Sequence, residues 1–133
     1  MRPVLMLVLV LLSVSAVRAR QYFPVLDDPD QATIVYSAGL SEADEASATL
    51  ASYLKQATER DFAVTRETAS EAQRPRSFPI YVGRCQLTQK LFGDDLAELD
   101  QDAFMVIVEP ERAFLVGRMD HGTYWAVCDF LER

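Results

Sequence analysis

The chain has 133 residues, one histidine, two cysteines and a formal charge of −7, with 20 acidic against 13 basic side chains. That length holds one domain with a modest core. The acidity excludes a nucleic-acid binder, which needs clustered Lys and Arg, and an anionic membrane surface as partner.

Chain order begins with a processing signal. Arg2 is followed by the apolar run Val4–Leu12 and then small residues, with Val17-Arg18-Ala19 as a small-x-small cleavage site. This tripartite pattern predicts a signal peptide over 1–19 and export to a periplasmic or extracellular compartment. The apolar run is too short to span a bilayer, and no later segment is apolar enough to cross one. Residues 20–32, rich in Pro and Asp, read as an extended lead-in to a domain over 33–133.

Thr33–Tyr36 is β-branched and aromatic, and predicts the first strand. Ser41 opens a helix as its cap, with Glu42, Asp44 and Glu45 in the first turn, where the helix dipole favours negative charge. Ala43, Ala46, Leu50, Tyr53, Leu54 and Ala57 recur at helical spacing and predict its buried stripe. Phe62–Arg66 alternates and predicts a second strand. The polar stretch 67–77 predicts an exposed loop, and Phe78–Val82 a third strand closed by Gly83.

Gln86–Phe92 predicts a short helical turn ended by Gly93, followed by an acidic connection with Leu96 and Leu99 turned inward. Ala103–Val108 and Ala113–Val116 flank Glu109-Pro110-Glu111-Arg112, which is a hairpin signal. The run Phe104-Met-Val-Ile-Val108 predicts a strand buried on both faces. After Gly117, Asp120 caps a last helix with Tyr124, Val127, Cys128 and Leu131 at helical spacing. The order β-α-β-β-β-β-α, with a short helical turn before the hairpin, predicts an α+β fold: one mixed sheet of about five strands packed with two main helices.

Chemistry is sparse. His121 has no second His and no Ser or Cys elbow beside it, so no hydrolase triad is predicted. Asp94, Asp95, Glu98, Asp100 and Asp102 lack the ligand order of a Ca²⁺ loop, and read as solvated carboxylates rather than as a metal site or a glycosidase pair. Gly83-Arg84 and Gly117-Arg118 each follow a strand. Their arginines could contact a carboxylate or a neighbouring domain. Cys85 and Cys128 could form one disulfide in an exported chain, or pack as two buried thiols. Tyr36, Tyr81 and Trp125 could form a sugar-stacking platform, although core packing or domain contact is the simpler reading. No catalytic, cofactor or metal residue is predicted.

Three segments together carry a resemblance. The strand Ile80-Tyr-Val-Gly-Arg84, the hairpin Asp102–Arg118 and the helix Gly122-Thr-Tyr-Trp-Ala-Val-Cys-Asp-Phe-Leu131 resemble the N-terminal domain of family 67 α-glucuronidases. They also resemble the related second domain of family 20 β-hexosaminidases. Ala46–Leu54 is similar to the families' A-x-x-L-A-x-x-L helix. The resemblance covers about residues 33–133.

It implies a β-N-acetylhexosaminidase-like N-terminal domain that is itself non-catalytic and precedes a (β/α)8 catalytic barrel as its partner. The family's catalytic acids lie on that barrel, so none maps here. It also implies a domain-contact surface on the last helix, around Trp125 and Phe130, which should be apolar and exposed. The barrel is not in this sequence, so the expectation is a fragment of an exported glycoside hydrolase or a stand-alone module binding a glycan or a protein.

Overall fold

The computed structural model describes residues 32–37, 41–67 and 78–133, with the side chains of 41–44 also outside the description. The expected leader, most of the lead-in, the caps and stripe residues at 41–44 and most of the 67–77 loop therefore lie outside the described residues. The elements are β1 (Ala32–Tyr36), α1 (Ser41–Thr58), β2 (Ala63–Arg66), β3 (Phe78–Val82), α2 (Gln86–Glu98), β4 (Phe104–Val108), β5 (Ala113–Gly117) and α3 (Asp120–Glu132).

They form one mixed five-stranded sheet in the order β2-β1-β3-β5-β4. The pairs β1–β2, β1–β3 and β3–β5 are parallel, and the β4–β5 hairpin is antiparallel. The fold is α+β, as the residue pattern implies. Burial follows position in the sheet. Central β5 is buried at every residue, whereas edge strand β2 is mostly exposed.

Alternation of side chains across the sheet divides the interior in two. Ala32, Ile34, Phe78, Ile80, Val82, Ala113 and Leu115 point to one face. They pack there with Ala46, Leu50 and Leu54 of α1 and Ala126, Val127 and Phe130 of α3. The opposite face carries Val35, Tyr81, Phe114 and Val116. Phe114 is its centre: the Tyr81 ring stacks on it at 5.2 Å, Phe92 of α2 meets it edge-on at 5.1 Å, and the Arg112 guanidinium sits 5.3 Å from its ring centroid.

The second helix departs from the expected short turn. It runs thirteen residues, through Gly93, to Glu98. Gly93 adopts ordinary helical backbone here, so it does not stop the helix, and Leu96 is one of its buried residues. The helix links the exit of β3 to the entrance of β4. Because β4 is antiparallel to β5, both points lie at the same end of the sheet, and a helix spanning them replaces the expected connection.

Four further expectations are corrected. Strand β4 is only half-buried along its length, because it is the sheet's edge. Tyr53 is 56% exposed and Ala57 is exposed, since α1 buries the narrower set Ala46, Ser47, Leu50 and Leu54. On α3 the buried set is Gly122, Thr123, Ala126, Val127 and Phe130, while Tyr124, Cys128 and Leu131 are half-buried. Met119, not Asp120, occupies the α3 cap, with no side-chain cap bond.

Two contacts fix the helix starts. The α2 cap residue Cys85 makes no side-chain cap bond, and Glu67, just past β2, accepts the Gln86 N–H at 2.5 Å. A carboxylate there satisfies a free amide and suits the positive end of the helix dipole. At the start of α3, the Gly117 N–H donates to the Thr123 hydroxyl at 3.0 Å.

Candidate functional site

Every strand-to-helix exit described here places its side chains at one end of the sheet. After β3 come Gly83 and Arg84, then α2. After β5 come Gly117, Arg118 and Met119, then α3. Gly83 takes φ 84°, a left-handed conformation that glycine adopts without strain. Gly117 meets a different demand. A Cβ there would lie 2.3 Å from the Gly122 carbonyl carbon and 2.4 Å from the Thr123 nitrogen, so the first turn of α3 can seat on β5 only over a bare backbone.

The α1–α3 layer carries the first surface feature. Glu45 of α1 and His121, Tyr124 and Trp125 of α3 line an open groove of about 190 Å³. His121 Nε2 lies 2.8 Å from Asp102 Oδ1, and its ring meets the Trp125 indole edge-on at 5.2 Å. Both side chains of this contact are exposed. Trp125 is 44% exposed, whereas Phe130 is 8% exposed and belongs to the core. The expected contact surface is thus corrected: Trp125 lies on the outer face of α3, and Phe130 faces the sheet, eight residues along the buried stripe from Gly122.

The second feature lies against α2. Arg84, Gln89, Gly93, Leu96, Ala97, Arg118 and Met119 line an open groove of about 300 Å³. Arg118 Nη1 donates to the Leu99 carbonyl at the end of α2. Arg84 Nη2 forms a long ion pair with Asp120 Oδ1 at 3.9 Å, beyond hydrogen-bond distance. The paired V-G-R signature at two strand ends is the sequence signal for this groove. Its third wall, α2, is hidden in the sequence because Gly93 reads there as a stop.

The remaining candidates separate. Tyr36 packs against the α1–α3 side of the core, with the Arg66 guanidinium 5.9 Å from its ring, and Tyr81 lies on the opposite face of the sheet, stacked on Phe114. With Trp125 on the outside of α3, these three rings form no common platform. Cys85 and Cys128 are not joined by a disulfide in this structure; Cys85 is buried and Cys128 half-buried. Buried Cys85 lies 3.7 Å from the Val35 carbonyl and 3.6 Å from that of Val82. Asp94, Asp95 and Glu98 are exposed on α2, and among the described residues no three His, Cys, Asp or Glu side chains converge as metal ligands. No described helix is long and apolar enough to cross a membrane.

Neither a protein-family model nor a curated protein sequence matches the chain.

Proposed function

We propose that the chain is the non-catalytic N-terminal accessory domain of an exported glycoside hydrolase of the α-glucuronidase kind, and that its role is to pack against and stabilise a (β/α)8 barrel. The observation that carries this reading is Trp125. It is the chain's one tryptophan, it stands on the outer face of α3 at 44% exposure, and it borders the groove of Glu45, His121 and Tyr124. A large aromatic beside polar groups is the kind of anchor that interfaces bury. The same helix carries Gly122-Thr-Tyr-Trp-Ala-Val127, the segment that resembles the families' G-x-x-Y-A-V element.

The test is to read the coding sequence beyond Arg133 and assay the chain with aryl glucuronides and aryl N-acetylhexosaminides. An in-frame barrel downstream, with no turnover by residues 20–133 alone, supports the reading. Turnover by this chain alone, or an unrelated downstream segment, overturns it.

One observation favours a second reading, a stand-alone secreted binding module. The Trp125 groove is an open space of about 190 Å³ in which the indole stands beside the polar side chains of Glu45 and His121, the pairing of ring face and hydrogen-bonding groups that a sugar needs. Saturable change in Trp125 fluorescence on adding soluble polysaccharide supports it, and an unresponsive indole removes it.

A further inference from the structure

We infer that the groove between Arg84 and Arg118 is a binding site for a small oxyanion-bearing molecule, a carboxylate or a phosphate. This inference is independent of the accessory-domain reading.

Three observations carry it. The first is charge. The chain has far more acids than bases, yet two of its guanidiniums line one groove, and the one carboxylate paired with them there is Asp120, which forms a long ion pair with Arg84 from beside the groove. Each guanidinium offers five N–H donors in a planar fork that matches an oxyanion's geometry. Arg118 spends Nη1 on the Leu99 carbonyl, and Arg84 is ion-paired with Asp120 at 3.9 Å, a separation that neutralises part of its charge but commits none of its N–H groups to a hydrogen bond. Donors therefore remain on both sides of the groove.

The second observation is placement. Val82 and Leu115 are register partners in the parallel β3–β5 pair, and the Gly83 N–H still donates to the Leu115 carbonyl at 2.9 Å. The two V-G-R exits therefore leave the same end of the sheet from neighbouring strands, staggered by one residue. Adjacent strands lie about 4.8 Å apart, so two arginines launched from them can reach one anion. Gln89, on the α2 wall, adds a side-chain amide that donates to the Arg84 carbonyl at 3.3 Å and steadies that exit.

The third is Gly93. A glycine inside a helix is unfavourable relative to alanine. Packing does not demand it, because a Cβ at this position would meet nothing within 4 Å. A methyl would fit there, but any longer side chain would project from the α2 wall into the groove opposite the arginines. The chain's overall negative charge opposes anion entry, so affinity rests on the local guanidiniums and falls with added salt.

The experiment is a nitrogen-15 NMR titration of the chain with sodium acetate and, separately, sodium phosphate, at constant ionic strength balanced with sodium chloride. The expected result is saturable shifts at the Gly83 and Gly93 amides and at Arg84 Nε with at least one of the two anions. Saturation by acetate alone assigns a carboxylate, and saturation by phosphate alone assigns a phosphate group.

Arg84→Gln removes one charge-assisted donor set, and should weaken binding about tenfold or more. Gly93→Glu places a carboxylate in the groove and should abolish saturation, while Gly93→Ala retains it. Both Gly93 variants sit at an uncrowded helix surface, and unchanged shifts elsewhere in the spectrum verify the fold. Equal shifts from chloride, or titrations indifferent to Arg84→Gln and Gly93→Glu, overturn the proposal.

Discussion

Gly117 and Gly93 are the same residue type with opposite physical roles, and substitution by alanine separates them. At Gly117 the added methyl would overlap the backbone of Gly122 and Thr123, atoms that cannot rotate away. Overpacking of this kind typically costs about 1–3 kcal/mol and more where backbone must move. Gly117→Ala is therefore expected to lower the denaturation midpoint sharply or prevent folding. At Gly93 the methyl enters open space within a helix, and the gain in helix propensity should raise stability by up to about 1 kcal/mol. Urea titrations of both variants check the pair, and equal effects would mean that α3 does not seat on β5 as described. The Gly117 and Gly122 positions are part of what makes the C-terminal segment recognisable. Gly122 is itself confined, since its Cβ would lie 3.0 Å from the Ala103 carbonyl oxygen. Much of the family-like pattern is thus steric necessity at a helix–strand junction and carries no chemistry of its own.

The same distinction explains which elements could be read from residues. β1, β3 and the β4–β5 hairpin follow from β-branched runs bounded by turn residues, and α1 follows from its apolar periodicity. Phase and environment were not legible. The apolar run of β4 looks like a doubly buried strand, but edge position is decided by chain topology, which the run itself does not encode. The buried stripe of α3 opens on Gly122 and Thr123, which apolar periodicity overlooks, so a stripe traced from Tyr124 points Phe130 outward.

The helix α2 illustrates the point with a measurable consequence. It is held on its face of the sheet by few large side chains, chiefly half-buried Phe92 against Phe114 and buried Leu96. The opposite face holds two longer-range helices over a larger core. Local stability tracks such contacts, and weakly held elements open first. Phe92→Ala should therefore accelerate amide hydrogen exchange across Gln86–Glu98 while α1 and α3 keep their protection. Uniform acceleration throughout the chain would mean that the two faces unfold as one unit.

At the scale of the whole molecule, the two helical faces differ in what they present outward. The α2 face offers cationic donors in a groove, and the α1–α3 face offers an aromatic anchor beside an exposed His121–Asp102 pair. That second face is where a neighbouring domain gives a sharp prediction. Trp125 is half-exposed and outside the main core, so Trp125→Ala should change the stability of the isolated chain by less than about 1 kcal/mol, within the range of surface substitutions. The exposed His121–Asp102 contact at its side is solvent-screened and adds little of its own. If the indole is the anchor of an interdomain contact, the same substitution matters only when the partner is present. A desolvated aromatic anchor typically accounts for about 2 kcal/mol or more of an interface. Because the chain has one tryptophan, acrylamide quenching reports on this residue directly wherever the partner contributes no tryptophan or its own are replaced. Quenching should be efficient in the chain alone and suppressed in a protein that includes the covering domain, and Trp125→Ala should lower that longer protein's unfolding midpoint but not the chain's. An indole equally accessible in both would remove Trp125 from any interface and leave the groove beside it to a soluble ligand.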